Sequence, residues 1–86
     1  MSWARRTDST HKAVRDALRG CGWLVADTSR LPLFVDLVAF KPSTRAFWLV
    51  EAKSKGGKLT ASQQKLKDAG WPLASIETVE QAAQLR

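Results

Sequence analysis

At 86 residues the chain has room for one domain with a thin margin of stability, which dimerisation would widen, and its 44% hydrophobic and 26% charged residues are those of a folded globular protein. A single cysteine and a single histidine exclude an internal disulfide and a Cys/His zinc set, and no apolar run nears the roughly 20 residues that span a bilayer, so a reducing, cytoplasmic setting without a membrane partner fits. The net charge of +6 is concentrated in residues 1–67, which hold 13 Lys and Arg against 5 Asp and Glu; a basic body suits a polyanion such as nucleic acid, and also reads as a solubilising surface.

Thr7, Asp8, Ser9 and Thr10 supply N-cap candidates, and His11, Val14, Leu18 and Cys21 recur behind them at helical spacing. This predicts a first helix over about 9–19, with Cys21 a small core residue. Gly20 and Gly22 stop it, and residues 23–26 read as a strand. Residues 27–33 form a loop in which Pro32 cannot donate a ladder hydrogen bond. Two β-rich runs, 33–40 and 46–53, flank the polar turn 42–45 and make a hairpin. Residues 54–58 form a basic loop with two glycines, followed by a helix from Thr60 to about Ala69 that Gly70 closes. A strand over 73–77 and a last helix from Thr78 through Leu85 complete the order αβββαβα, an α/β domain spanning 1–86 with a mixed sheet flanked by helices.

Strand side chains alternate faces, so Phe34, Asp36, Val38 and Phe40 share one side, as do Phe47, Leu49, Glu51 and Lys53 on the next strand. If Lys41 faces Ala46 across the turn, the register places Asp36 directly opposite Glu51, with Lys53 two residues further along on the same face. Two opposed carboxylates in apolar strands repel each other and are costly to desolvate, a conflict that a divalent cation removes. Mg2+ prefers oxygen ligands and keeps several waters, leaving room for a phosphate, and Lys53 would hold the attacking water or neutralise charge in the transition state. The bland alternative is a salt-bridged ladder on a solvated face, against which the apolar Phe34, Val38, Phe40, Phe47 and Leu49 predict burial.

An Asp in one apolar strand, a hairpin turn, and a second strand ending in Glu51-Ala52-Lys53 resemble the D…ExK core of the PD-(D/E)xK nuclease superfamily. The following Gly56-Gly57-Lys58-Leu59-Thr60-Ala61-Ser62-Gln63 is similar to the Gly-rich loop and L-T-x-x-Q helix start of small phage-type VRR nucleases, and the order of elements matches over nearly the whole chain. The resemblance implies a restriction-endonuclease-like αβββαβ core. It also implies cleavage of DNA with Mg2+ or Mn2+, frequently at branched structures such as Holliday junctions or flaps, by a homodimer in a bacterial or phage-infected cell. Under it Asp36 and Glu51 are metal ligands, the Ala52 carbonyl a third, Lys53 the catalytic lysine and Gln63 an active-site residue. Two departures stand out: Val35 replaces the Pro that usually precedes the family Asp, and His11 stands where helix 1 commonly carries an acid.

His11 is either a metal or metal-water ligand at the inner end of the helix, or an N-terminal helix residue satisfied by solvent or by a hydroxyl of the cap. Gln63 completes a Thr60-x-x-Gln63 capping box and lies on the stripe of Leu59 and Leu66, which turns it towards the sheet. Lys55 and Lys58 beside the glycines, with Arg5, Arg6 and Lys12, form a possible phosphate track, or else solvated charge. Trp48, on the hairpin face away from the site, reads as core or dimer interface, and Trp71 as structural. The rival to an enzyme is a non-catalytic DNA-binding protein built on the same fold.

Overall fold

The hairpin that organises the sheet closes where the turn residues dictate. In the computed structural model, which describes residues 2–53 and 56–86 and side chains from residue 10, β2 (Leu37–Lys41) pairs antiparallel with β3 (Ala46–Ala52). Lys41 lies opposite Ala46, as the turn length predicts, and Arg45 takes a left-handed φ of 61° with its N–H on Lys41 O at 2.7 Å. β1 (Leu24–Asp27) adds antiparallel to β2, and β4 (Leu73–Ile76) adds parallel to β3 after a crossover through α2 (Ala61–Asp68), giving the sheet order β1-β2-β3-β4. The long α1 (Ser2–Gly20) and short α3 (Val79–Gln84) complete the αβββαβα order.

Both longer helices end by the same device. Gly22 at φ 94° and Gly70 at φ 105° each let the next residue fold back: Trp23 N–H reaches Leu18 O and Trp71 N–H reaches Leu66 O, so the terminal carbonyls are satisfied. α1 and α3 cover one sheet face, where Val14, Leu18 and Ala82 meet Leu37, Ala39, Val50, Ala52 and Ile76. Leu18, Leu37 and Val50 are fully buried there, each contributing roughly 1.5–3 kcal/mol relative to exposure. Trp48 packs against this core, away from the carboxylates as its strand position predicts, and its Nε1 donates to Arg86 O at 2.7 Å.

Several expectations are corrected. α1 does not start at the Thr7–Thr10 caps but runs through them from Ser2, because Ala4, Arg5 and Arg6 ahead of them are good helix formers and a capping preference is only local. Cys21 is exposed, because the helix has already ended and the chain turns over on Gly22; the fully packed residue is Trp23, whose ring carries Lys41 Nζ at 5.6 Å. Phe40 and Phe47 stand 38% and 40% exposed where burial was expected, since among the described elements nothing covers the turn end of their face. Trp71 has a structural backbone, but its ring is about half exposed.

The first hairpin strand starts at Leu37, four residues later than its apolar run. Side chains take over the ladder there: Thr28 Oγ1 bonds Val35 O at 2.7 Å and Gln63 Nε2 bonds Phe34 O at 3.2 Å. No helix among the described residues is long and apolar enough to cross a membrane.

Candidate active site

Where β2 has not yet begun and β3 is ending, the backbone and two acidic side chains interlock. Glu51, at 5% exposure the most buried charged residue described, accepts the Asp36 N–H through Oε1 at 3.2 Å. Asp36 returns the contact, its Oδ2 accepting the Ala52 N–H at 3.1 Å. Lys53 Nζ closes on Glu51 Oε2 at 3.0 Å. The register extended by one residue past Leu37↔Val50 puts Asp36 opposite Glu51, so the two carboxylates and the ammonium gather at one end of one sheet face.

Burial raises the Asp36 carboxyl above its ordinary value, and the neighbouring Glu51 charge raises it further; the Ala52 N–H and the His11 and Lys53 charges pull it part of the way back. Two carboxylates thus share this strand end with a single ammonium, Lys53. Ala52, which uses its N–H on the Asp36 side, directs its C=O to the same edge of the strand, as a hydrogen-bonding residue of an antiparallel pair does. Two carboxylates and a backbone carbonyl are hard oxygen donors of the kind Mg2+ and Mn2+ take. Among the described residues no cluster of three His, Cys, Asp or Glu side chains forms, so a bound ion would complete its shell with carbonyl and water oxygens.

Gln63 has both ends engaged. Its Oε1 accepts the Thr60 N–H at 3.0 Å, completing the capping box with Thr60 Oγ1, and its Nε2 holds Phe34 O two residues before Asp36. The capping box is present, and the cap fixes the same side chain that braces the Asp36 segment.

His11 sits well inside α1, and its Nε2 donates to Asp27 Oδ2 at 3.1 Å. It therefore pairs with a carboxylate of β1, and among the described residues it makes no hydrogen bond to Asp36 or Glu51; the side chains of Thr7 and Ser9 in the expected cap lie outside the described residues. Asp27 was missed as a partner by sequence reasoning. Ser29 N–H and Oγ both bond its Oδ1, at 3.0 and 2.6 Å, and these bonds, with smaller help from His11, hold its carboxyl down at about 2. The Asp27-Thr28-Ser29 triplet, a side-chain turn of the kind Asp favours, was the available signal. Thr28 was missed too: it binds Asp36 O through its N–H at 2.8 Å as well as Val35 O.

Of the basic track, Lys12 and Lys58 are exposed, whereas Lys55 and the side chains of Arg5 and Arg6 lie outside the described residues. Gly56 is held by Glu77 Oε2, which accepts its N–H at 2.9 Å.

No family model matches the sequence, and no curated protein matches it. Among solved structures the chain is similar to one described as a "VRR_NUC domain", at 20% identity and a TM-score of 0.69, over 92% of this chain and 91% of that one. The chain therefore has the fold of a VRR_NUC domain, the α/β architecture expected from its order of elements.

Proposed function

We propose that the chain is a metal-dependent endonuclease that hydrolyses phosphodiester bonds in DNA, selects branched structures and works as a homodimer. The carrying observation is the meeting of Asp36, Glu51 and Lys53 at one strand end in a fold shared with a VRR_NUC domain. Asp36, Glu51 and the Ala52 carbonyl would hold Mg2+ or Mn2+, which when bound polarises a phosphoryl oxygen and acidifies a water. Glu51 anchors the Asp36 backbone and the Lys53 ammonium together. Lys53 opposes the negative charge that develops on the phosphate and holds the attacking water. Gln63 is a positioning residue, acting through the Phe34 carbonyl on the Asp36 loop. His11, held through Nε2 by Asp27, would offer Nδ1 as its remaining ring nitrogen to a metal-bound water. Lys12 and Lys58, extended by Arg5, Arg6 and Lys55, supply sequence-independent phosphate contacts. The exposed cross-strand row Leu24, Phe40, Phe47 gives a second copy an apolar seat.

The test is a panel of labelled four-way junctions, flaps and linear duplexes incubated with Mg2+, Mn2+ or EDTA. Cleavage is expected only with metal and is expected to vanish in Asp36→Ala, Glu51→Ala and Lys53→Ala. Tight DNA binding with no cleavage under any metal would instead establish the non-catalytic reading, and cleavage in EDTA would exclude the metal.

A further inference from the structure

Three residues before Asp36 the chain carries a feature that metal and phosphate chemistry do not require. Leu33 is 80% exposed, the most exposed large apolar side chain described, and sits in a left-handed conformation at φ 61° that leucine rarely adopts. Leu31, on the other side of Pro32, is 55% exposed, and the exposed Arg30 precedes it. Both the exposure and the backbone conformation are unfavourable, so packing does not account for them.

The tip is nevertheless firmly held. Leu31 N–H bonds Thr28 O at 3.0 Å; Thr28 in turn grips Val35 O and Asp36 O; and Gln63 grips Phe34 O. Pro32 restricts the tip further, having a fixed φ and no N–H to satisfy. Two leucines are thus presented on a braced loop whose base is the backbone of Asp36.

The occupant follows from what surrounds the tip. The chain carries a net charge of +6, Arg30 flanks the leucines, and the loop is continuous with the site proposed to cut DNA. Intact duplex presents phosphates and groove edges, whereas apolar base faces become available where base pairs unstack, and wedging a Leu or Pro between base steps is a general way to hold DNA at such a step. We propose that Leu31-Pro32-Leu33 is a wedge that enters the unstacked step at a branch or discontinuity in DNA and sets the adjoining phosphodiester over Asp36, Glu51 and Lys53. This rests on the nuclease reading and names the residues that would make it selective for branched DNA.

The experiment uses a four-way junction with 2-aminopurine at the branch and a linear duplex of matched sequence. In an Asp36→Asn background without metal, binding is expected to raise 2-aminopurine fluorescence several-fold, and adding Leu31→Ala and Leu33→Ala is expected to abolish the rise. In the otherwise unaltered protein with Mg2+ or Mn2+, the leucine pair of changes should slow junction cleavage at least tenfold and duplex cleavage less than twofold. Leu33→Met should restore the junction rate; Leu33→Gly, which relieves the left-handed strain, should keep the fold but not the rate. A fluorescence rise that survives loss of both leucines, or junction and duplex rates that fall together, overturns the wedge. So does a change of sedimentation coefficient in the leucine variant, because the tip would then be seated in a second copy. If the unaltered protein cuts nothing, the nuclease reading fails, while the fluorescence arm still decides the wedge.

Discussion

The two ends of one sheet face treat their residues in opposite ways. At the end where β3 finishes, Glu51 is 5% exposed and Asp36 half-buried; at the turn end, four residues before Glu51 and four after Asp36, Phe47 and Phe40 are 40% and 38% exposed. Hydrophobicity alone would distribute burial the other way. What permits the inversion is local satisfaction: each buried acid has a backbone N–H, and Glu51 has Lys53 as well. The aromatic rings need no partner atoms, so their exposure costs only the burial forgone. A buried polar cluster at one end and an unpartnered apolar row at the other are departures from stability-driven design of the sort that function imposes.

Asp36→Asn should break the contrast most strongly, in two directions at once. Cleavage should fall on the order of 10^2- to 10^3-fold or more in single-turnover assays, the loss typical of removing one key charge-stabilising group. Thermal stability should rise at neutral pH. The folded-state pKa of Asp36 is raised, so the ionised form disfavours folding; this cost is absent below the ordinary carboxylate pKa of about 4 and grows as pH rises through the folded value. Calorimetry from pH 3 to 7 should therefore show the Asn variant gaining on the unaltered protein as pH rises. A melting temperature equal to or below that of the unaltered protein at pH 7 would mean the acid is not under electrostatic pressure.

Leu18→Ala, on the fully packed face, should cost about 2–5 kcal/mol, whereas Phe47→Ser at the turn end should cost about 1 kcal/mol or less in denaturant unfolding. If the aromatic row seats a second copy, Phe47→Ser should also lower the sedimentation coefficient to that of a monomer. Equal destabilisation by the two changes would show that the turn end is covered in solution.

Gln63→Ala removes a cap bond and the bond to Phe34 O together, and should cost about 1–3 kcal/mol. Gln63→Glu keeps the acceptor to Thr60 but loses the donor to Phe34. It should therefore restore part of the stability and none of the lost cleavage, which separates capping from bracing.

The smallest effect is expected at Asp27. Its carboxyl, held at about 2 chiefly by Ser29, contributes stability that is present above about pH 4 and lost as pH falls towards 2. Asp27→Asn should flatten that acid limb of a melting-temperature profile and leave the profile above pH 5 nearly parallel.

The residue types and their spacing determined the juxtaposition of the two acids and the lysine before any coordinates. Strand alternation is a two-residue period, and the turn over Pro42–Arg45 set one register, so Asp36, Glu51 and Lys53 had to converge if the hairpin formed. The caps at Thr60 and Thr78 and the stops at Gly22 and Gly70 were equally legible, being chemistry of single residues against their own backbone. Tertiary structure alone decided the rest. Where β2 begins depends on Thr28 and Gln63 capturing carbonyls that a ladder would have used, and the His11 partner depends on α1 lying against β1. The exposure of Leu33, Phe40 and Cys21 depends on what covers them. Local periodicity fixes which way a side chain points; only contacts between residues far apart in the chain decide whether anything is there to meet it.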